Sequence, residues 1–281
     1  MRATPSQARP VARRRPVNVF SVLIRAGVAL TIVMLPAPAL ASSALPHGFV
    51  YLRDIDPTIV QDIRYAGSHN FVGRPISGYL GAECILSEPA AHALASVQRL
   101  LAEKKLSLIV WDCYRPQRAV DDFLRWSKDP AHSEMKAEFY PRTDKEKLFA
   151  LGYLAKRSAH SRGSTVDVGL VPAAFSSAPP PNPSQSLKAC TSPKGERFED
   201  GTIDFGTGYD CLDVLASTSN ALVGAIARRN RQTLKSYMQG AGFRPYAREW
   251  WHFELINARF DRGSFDFEVS ASPSSNERPI R

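Results

Sequence analysis

Apolar residues recur along the chain at helical spacing in some segments and in nearly continuous short runs in others. The segment "EPAAHALASVQRLLAEK" (88–104) predicts a helix, with Ser87 as its N-cap. The run "LSLIVWD" (106–112) predicts a strand that ends at Asp112. One face of the predicted helix would carry the apolar residues Leu94, Val97, Leu100 and Leu101.

The remaining pattern predicts further short elements in a mixed order. The segment 48–66 reads as extended pieces broken at Pro57. Helices are predicted from Pro116 through "QRAVDDFLRWS", over "DKEKLFALGYLA" (144–155) and over "SNALVGAIARRNRQTLKSYMQGAG" (219–242). The aromatic segment "REWWHFEL" (248–255) predicts a strand.

These elements favour one α+β domain over residues 42–269. Strands do not alternate regularly with helices, so we expect a central, mainly antiparallel sheet flanked by helices. The Pro-rich stretch 171–186 cannot form regular structure and opens an expected insertion over 171–200. The polar segment 270–281 reads as a disordered tail, and the 44% apolar content suffices for a full core.

Residues 1–41 have the features of an export signal. Arginines come first, the apolar run "AGVALTIVML" follows, and Ala39-x-Ala41 offers a cleavage site. The apolar run is shorter than the roughly 20 residues of a membrane span, although a retained signal anchor is the alternative. We therefore expect a periplasmic or secreted protein, with the general and twin-arginine export routes both open and no stable membrane association after signal removal.

Charge argues against a nucleic-acid partner. The formal net charge of +9 includes six arginines and no acidic residue within 1–41. Without that segment, 30 basic residues face 27 acidic ones, so the mature chain is close to +3.

Four cysteines follow the leader, and none forms a Cys-x-x-Cys pair, so a thiolate zinc site is not expected. In an oxidising compartment an even number favours disulfides, for which three connectivities exist. Proximity in sequence favours Cys84 with Cys113 and Cys190 with Cys211, and free buried thiols are the alternative.

Candidate chemistry begins with "SAHSRGSTVD" (158–167). His160 and Asp167 are both good ligands for a divalent ion, but on a straight helix they would lie about 10 Å apart. They can share an ion only if the chain bends, which Gly163 permits. Taken alone, the stretch also reads as an ordinary polar surface turn.

The segment "EWWHFE" (249–254) supplies a third ligand candidate, His252, and a spare carboxylate, Glu249. Catalytic zinc takes three protein ligands and leaves a position for water, whose proton a nearby carboxylate can accept. These residues therefore favour metal-assisted amide hydrolysis. In an ideal strand Glu249 and His252 face opposite sides, so Glu249 must sit at a strand end or a bend, and Glu254 is the rival base.

Arg115, in "WDCYRP" (111–116), follows a predicted strand and precedes a predicted helix, where loops often present functional side chains. A guanidinium there can stabilise the oxyanion formed when water adds to a peptide carbonyl. A surface salt bridge is the plainer interpretation of Arg115 alone.

Taken together, the motifs resemble the D-alanyl-D-alanine dipeptidases, the VanX-like zinc peptidases. The resemblance runs in order through "DIRYAGSHNFVGRPISGY" (62–79), "WDCYRPQRAV" (111–120), "SAHSRGSTVD", "DFGTGYD" (204–210) and "EWWHFEL". It implies a fold of the hedgehog/DD-peptidase type with one zinc ion per chain at the sheet.

The resemblance also implies roles for individual residues. His160, Asp167 and His252 would be the zinc ligands, Glu249 the general base, and Arg115 the group that stabilises the transition state. The positions that would hold the substrate's free amino end are Tyr65, Ser158 and Asp210. A carboxylate at Asp210 is reasonable because a buried ammonium needs a partner.

The resulting hypothesis is an exported zinc dipeptidase that splits D-Ala-D-Ala in peptidoglycan turnover or D-Ala scavenging. Its expected partner is a small D,D-dipeptide, and the oligomeric state is open. The alternatives are a D,D-carboxypeptidase acting on longer muropeptides and a non-catalytic zinc-stabilised cell-wall binding module. The insertion over 171–200 and Cys113 depart from the family pattern; the first bears on the mouth of the site, and the second, joined to Cys84, would steady the Arg115 loop.

Overall fold

A five-stranded sheet organises the residues that the computed structural model describes, 45–180, 186–258 and 263–272. The strands are β1 (Phe49–Tyr51), β2 (Val60–Gln61), β3 (Ile85–Ser87), β4 (Leu106–Asp112), β5 (Thr165–Pro172), β6 (Phe243–Pro245) and β7 (His252–Leu255). The strand order of the large sheet is β2-β4-β5-β7-β6, and a separate antiparallel pair is formed by β1 and β3. Only the β2–β4 pairing of the large sheet is parallel.

Helices flank this sheet, so the expected α+β architecture with a mainly antiparallel sheet is confirmed. The α-helices are α1 (Leu52–Ile55), α2 (Glu88–Ala102), α3 (Gln117–Lys128), α4 (Lys136–Phe139) and α5 (Ala225–Gly240). Short 3₁₀ turns are formed by Arg64–Ala66, Lys145–Lys147, Ala159–Arg162 and Val214–Ala216. The central strands β4 and β5 are buried along almost their whole length, so residues at or near their ends, such as Asp112 and Asp167, are held in fixed positions.

Three of the predicted elements, β4, α2 and α3, appear nearly within their predicted bounds. Three of the four apolar residues predicted on one face of α2 are fully buried, whereas the fourth, Leu100, is half exposed. Ser87 holds the N-cap position without making a cap hydrogen bond. Its hydroxyl instead lies 3.3 Å from the Ser164 hydroxyl, which draws it away from the helix end.

The helix predicted over 144–155 is wrong. After one 3₁₀ turn the chain bends, because Gly152 adopts φ +79° and the amides of Tyr153 and Leu154 both bond to the Leu148 carbonyl. The Lys145 ammonium turns inward to backbone carbonyls, including that of His132 at 2.5 Å.

Three other predicted elements are shorter than expected. The helix predicted over 219–242 begins only at Ala225, because the Leu222 amide bonds to the Asn220 side chain and closes a turn first. The strand predicted over 248–255 begins at His252, and the turn before it contains Glu249. The extended segment 48–66 includes the short helix α1.

Both disulfides favoured by sequence proximity are present: Cys84–Cys113 and Cys190–Cys211. The prediction that the Pro-rich stretch has no regular structure from residue 171 onward is wrong at its start, because Val171 and Pro172 belong to β5. The predicted leader (1–41), residues 181–185 of the Pro-rich stretch and residues 273–281 of the tail lie outside the described residues. Within the described ranges, no helix is long and apolar enough to cross a membrane.

Candidate active site

Three predicted ligands come together at one end of β5. His160 lies in the 3₁₀ turn Ala159–Arg162, which ends at Gly163 with φ +78°, and this supplies the bend that the sequence requires. Asp167 lies in β5, directly opposite His252, the first residue of β7. The turn and the strand pairing therefore bring residues 92 positions apart in sequence to one point.

The ligand atoms of this triad form a nearly equilateral triangle. The distance from His160 Nε2 to His252 Nδ1 is 3.2 Å, and the Asp167 Oδ1 atom lies 3.3 Å from the former and 3.1 Å from the latter. In a tetrahedral site with zinc–ligand bonds of about 2.0–2.1 Å, any two ligand atoms lie about 3.3–3.4 Å apart. The spacing of the triad is thus that of three corners around a small divalent ion.

The surroundings of the triad also fit a metal. Asp167 Oδ1 is a buried atom with no hydrogen-bond partner among the described residues, whereas Oδ2 accepts the Tyr209 hydroxyl at 3.1 Å. His160 Nδ1 lies 2.7 Å from the Cys113 carbonyl, to which it can only donate. That bond leaves the Nε2 lone pair facing the other two ligands, the arrangement common to metal-binding histidines.

Glu249 lies beside the triad in the turn that precedes β7. Because it is not part of the strand, its side chain can reach the same site as His252, although the two would face opposite sides of an ideal strand. Its Oε2 atom is 3.6 Å from His252 Nδ1, and the residue is only 8% exposed. Burial, reinforced by the charges of Asp167 and Asp210, raises the pKa of the Glu249 carboxyl well above its usual value. A carboxyl held in this way has a strong affinity for a proton.

Glu254, the rival base, is engaged elsewhere. Its carboxylate accepts a hydrogen bond from Arg162 and another from Arg244 at 2.7 Å. Partial burial alone would raise the pKa of Glu254, but these bonds outweigh it and lower the pKa. A carboxylate held between two guanidinium groups is a poor proton acceptor, so the geometry favours Glu249.

Arg115 is held in place by Asp112 and by two aromatic rings. Its Nε and Nη2 atoms lie 2.8 and 2.7 Å from Asp112 Oδ2, and its guanidinium carbon lies 5.0 Å from the centre of the Tyr65 ring and 5.3 Å from that of Phe123. The nearest triad atom, Asp167 Oδ2, is 3.8 Å from Nη2. The guanidinium thus faces the metal triad from a fixed position.

The residues expected to hold an ammonium form a second polar group nearby. The Tyr65 hydroxyl donates to Asp210 Oδ2 at 2.8 Å. Burial, followed by the charge of Asp167, raises the pKa of Asp210 to about 7. Ser158 precedes the 3₁₀ turn, and its hydroxyl accepts a hydrogen bond from the His160 amide at 3.3 Å, so it also holds the turn that carries His160.

A cavity of about 400 Å³ connects these groups. Its walls include all eight residues singled out in the sequence: Tyr65, Arg115, Ser158, His160, Asp167, Asp210, Glu249 and His252. The motifs that carry the family resemblance therefore converge on one cleft.

Sequence reasoning missed several residues that shape this cleft. Asp112 was taken only as a strand end, yet it fixes Arg115 and accepts the Tyr79 hydroxyl at 2.5 Å. Tyr209 stacks on Trp111 and bonds to a triad ligand. Asp112 lies within the motif "WDCYRP" and Tyr209 within "DFGTGYD", and this position is the sequence signal that could have identified them. Arg244 had no such signal, because only the pairing of β6 with β7 brings it to the cavity.

The disulfide Cys84–Cys113 supports the site directly, since the Cys113 carbonyl is the acceptor for His160. Changing both cysteines to serine is expected to lower the free energy of unfolding by roughly 2–5 kcal/mol. It should also weaken the binding of a divalent metal by about tenfold, on the scale of losing an outer hydrogen-bond partner. Competition with a chromophoric chelator measures that affinity.

Removal of the second disulfide, Cys190–Cys211, is the matched control. It should lower stability while leaving the affinity for a divalent metal unchanged, because neither cysteine bonds to a triad residue in the described structure. Equal losses of metal affinity in the two double variants would contradict the positioning role of Cys113.

Known proteins resemble this chain over most of its length. The family described as D-ala-D-ala dipeptidase matches residues 46–174 and 180–270. A D-alanyl-D-alanine dipeptidase of Streptomyces coelicolor is 34% identical over 222 residues, which is 79% of this chain and 98% of that protein. One of Enterococcus faecalis is 31% identical over 227 residues, covering 80% and 100%. One of Escherichia coli is 29% identical over 210 residues, covering 74% and 85%.

Proposed function

Because this chain belongs to the D-Ala-D-Ala dipeptidase family of metallopeptidases, we propose that it hydrolyses D-alanyl-D-alanine to two D-alanines with one zinc ion. The observation that carries the proposal is the triangle of His160, Asp167 and His252 ligand atoms with a protonatable carboxyl, Glu249, beside it. A binding module has no use for that carboxyl or for the fixed guanidinium of Arg115.

The triad residues would hold the zinc ion, which when bound supplies Lewis-acid polarisation of the scissile carbonyl and a lowered pKa for a water molecule. Glu249 takes the proton from the attacking water at its buried carboxylate and delivers it to the leaving amine nitrogen. The same side chain thus acts as base and then as acid. A dication nearby favours the ionised form of the carboxyl that the first role needs.

The chain's other polar groups orient the dipeptide. Asp210, held by Tyr65, accepts the free ammonium, so an acylated amino end would leave a buried carboxyl without its partner. Arg115 donates to the oxygen that becomes negative when water adds, from a guanidinium that Asp112 already fixes. With the ammonium held at Asp210 and the developing oxyanion at Arg115, the bond that is cleaved is the first peptide bond from the amino end.

We place the reaction outside the cytoplasm, in the periplasm or in the secreted fraction, where it serves peptidoglycan turnover or D-Ala scavenging. The N-terminal sequence features support this placement. The two disulfides support it as well, because such bonds persist in oxidising compartments. Recovery of the mature protein from the cytosolic fraction would contradict it.

The proposed activity is tested by incubating the protein lacking residues 1–41 with D-Ala-D-Ala and measuring free D-Ala. Release that a chelator stops and zinc restores is the expected result. Release from N-acylated D-Ala-D-Ala or from a pentapeptide instead would favour a carboxypeptidase. Peptidoglycan binding without any product from zinc-loaded protein would favour a binding module.

Arg115→Ala is expected to lower kcat by about a hundredfold or more, on the scale of losing an oxyanion donor. Arg115→Lys keeps a cation beside Asp112 but loses the planar fork, so it should fold like the wild type and still lose most of the rate. Steady-state kinetics checks both variants. An unchanged kcat with a raised KM would make Arg115 a ground-state binding group.

A further inference from the structure

The mouth of the cavity is cationic, whereas its inner end is acidic. Asp210, at the inner end, is 5% exposed. Arg157 is exposed, and the Arg244 side chain is 64% exposed, yet both line the same cavity. A ligand bound in the cavity therefore lies between guanidinium groups at the mouth and a carboxyl at the inner end.

The pairing of β6 with β7 fixes where Arg244 stands relative to the metal triad. Arg244 lies directly opposite Glu254, so their side chains share one face of the sheet. Glu254 follows His252 by two residues, which places it on the same face, about 7 Å farther along the strand. Arg244 therefore lies on the same face of the sheet as the proposed metal ligand His252, displaced from it by two residues along β7.

Both guanidinium groups retain free donors. Arg244 bonds to Glu254 through Nη2 alone among the described residues, and a guanidinium carries five N–H donors. No described residue forms a salt bridge with Arg157. The single negative charge of Glu254 is shared between two guanidinium groups, those of Arg162 and Arg244. These three side chains together therefore keep a net positive charge.

We infer that Arg157 and Arg244 form a carboxylate-binding subsite for the side chain of the residue after the scissile bond, extending the substrate class to dipeptides that end in an acidic D-residue such as D-Glu. The inference rests on the proposed dipeptidase activity. With the ammonium at Asp210 and the peptide bond at the triad, the second residue points outward. D-Ala-D-Ala is much smaller than the ligands that fill cavities of about 400 Å³, which leaves room for a longer side chain.

The test compares D-Ala-D-Glu with its neutral isostere D-Ala-D-Gln on the zinc-loaded protein. The ratio of their kcat/KM values is expected to be about ten or more, the scale of a charge-assisted hydrogen bond in a partly exposed site. Raising the salt concentration should lower this ratio, because exposed charges are screened. The salt series requires no variant, so it keeps the test independent of folding defects.

Changing Arg157 and Arg244 together to Gln should bring the ratio close to one. Arg125→Gln is the matched control, since Arg125 is also 64% exposed, pairs with one carboxylate at 3.3 Å and does not line the cavity. The control should keep the wild-type ratio and its salt dependence.

Three results would overturn the inference, and the first two differ in whether the proposed function survives. Chelator-sensitive hydrolysis of D-Ala-D-Ala with a salt-independent ratio of one or less would remove the acidic subsite and leave the proposed function intact. Failure to hydrolyse any of the three dipeptides would remove both. A wild-type ratio that survives in the double Gln variant would also overturn the assignment of these two arginines.

Discussion

Glu249→Gln is expected to lower kcat for D-Ala-D-Ala by a factor of about 10³–10⁴, at the upper end of what a positioned acid–base group contributes. The amide has nearly the same shape but can neither take a proton from water nor deliver one to the leaving nitrogen. Because Glu249 is not one of the three triad residues, the variant should still bind one zinc ion per chain. Steady-state kinetics and zinc analysis of the purified variant measure both quantities.

Glu254→Gln is the matched control for this prediction. Glu254 lines the same cavity but is held by Arg162 and Arg244, so its loss should lower kcat for D-Ala-D-Ala by less than tenfold. A larger loss in the Glu254 variant than in the Glu249 variant would move the base to Glu254. Loss of zinc from the Glu249 variant would instead make that residue a ligand.

Asp167→Asn is expected to abolish both zinc binding and D-Ala release. In the wild type, zinc at about one hundred times its Kd should stabilise the fold by about 2.7 kcal/mol. For a chain of this size that corresponds to a rise in Tm of about 5–10 °C. The variant lacks the charged ligand atom that is buried without a hydrogen-bond partner, so its Tm should not respond to zinc.

Asp122→Asn provides the comparison for the thermal measurement. Asp122 is equally buried, but it bonds to Arg74 and Ser77 rather than to the triad. Its replacement should lower Tm and leave the zinc-dependent rise intact. A zinc response that persists in Asp167→Asn would show that another group completes the site.

The sequence predicted the local parts of the fold and site best. β4 is a run of apolar residues that is buried almost throughout, and such a run can be recognised as a buried strand from the sequence alone. His160, Asp167 and His252 were found because their motifs combine suitable ligands with a bend at Gly163. The ligand set was fixed more by the family resemblance than by spacing, since either motif alone also suits an ordinary turn or a core strand.

Features that depend on distant contacts were not predictable. Lys145 lies in the segment predicted as a helix over 144–155, and its inward turn depends on the carbonyls of the loop near His132. Arg244 lies in a three-residue strand that includes Pro245, too short to register as a strand in the hydrophobic pattern. Its place at the cavity follows from pairing with β7 and from nothing in its own neighbourhood.

The pairing of Asp167 with His252 also sets the order of events as the chain acquires its metal. His160 and Asp167 are close in sequence, but the third ligand joins them only when β7 docks against β5, a contact that closes a loop of about 85 residues. Such nonlocal pairing is slow compared with local turn formation. We therefore expect the proposed zinc ion to bind with full affinity only after β7 has docked against β5, in whichever compartment folding is completed.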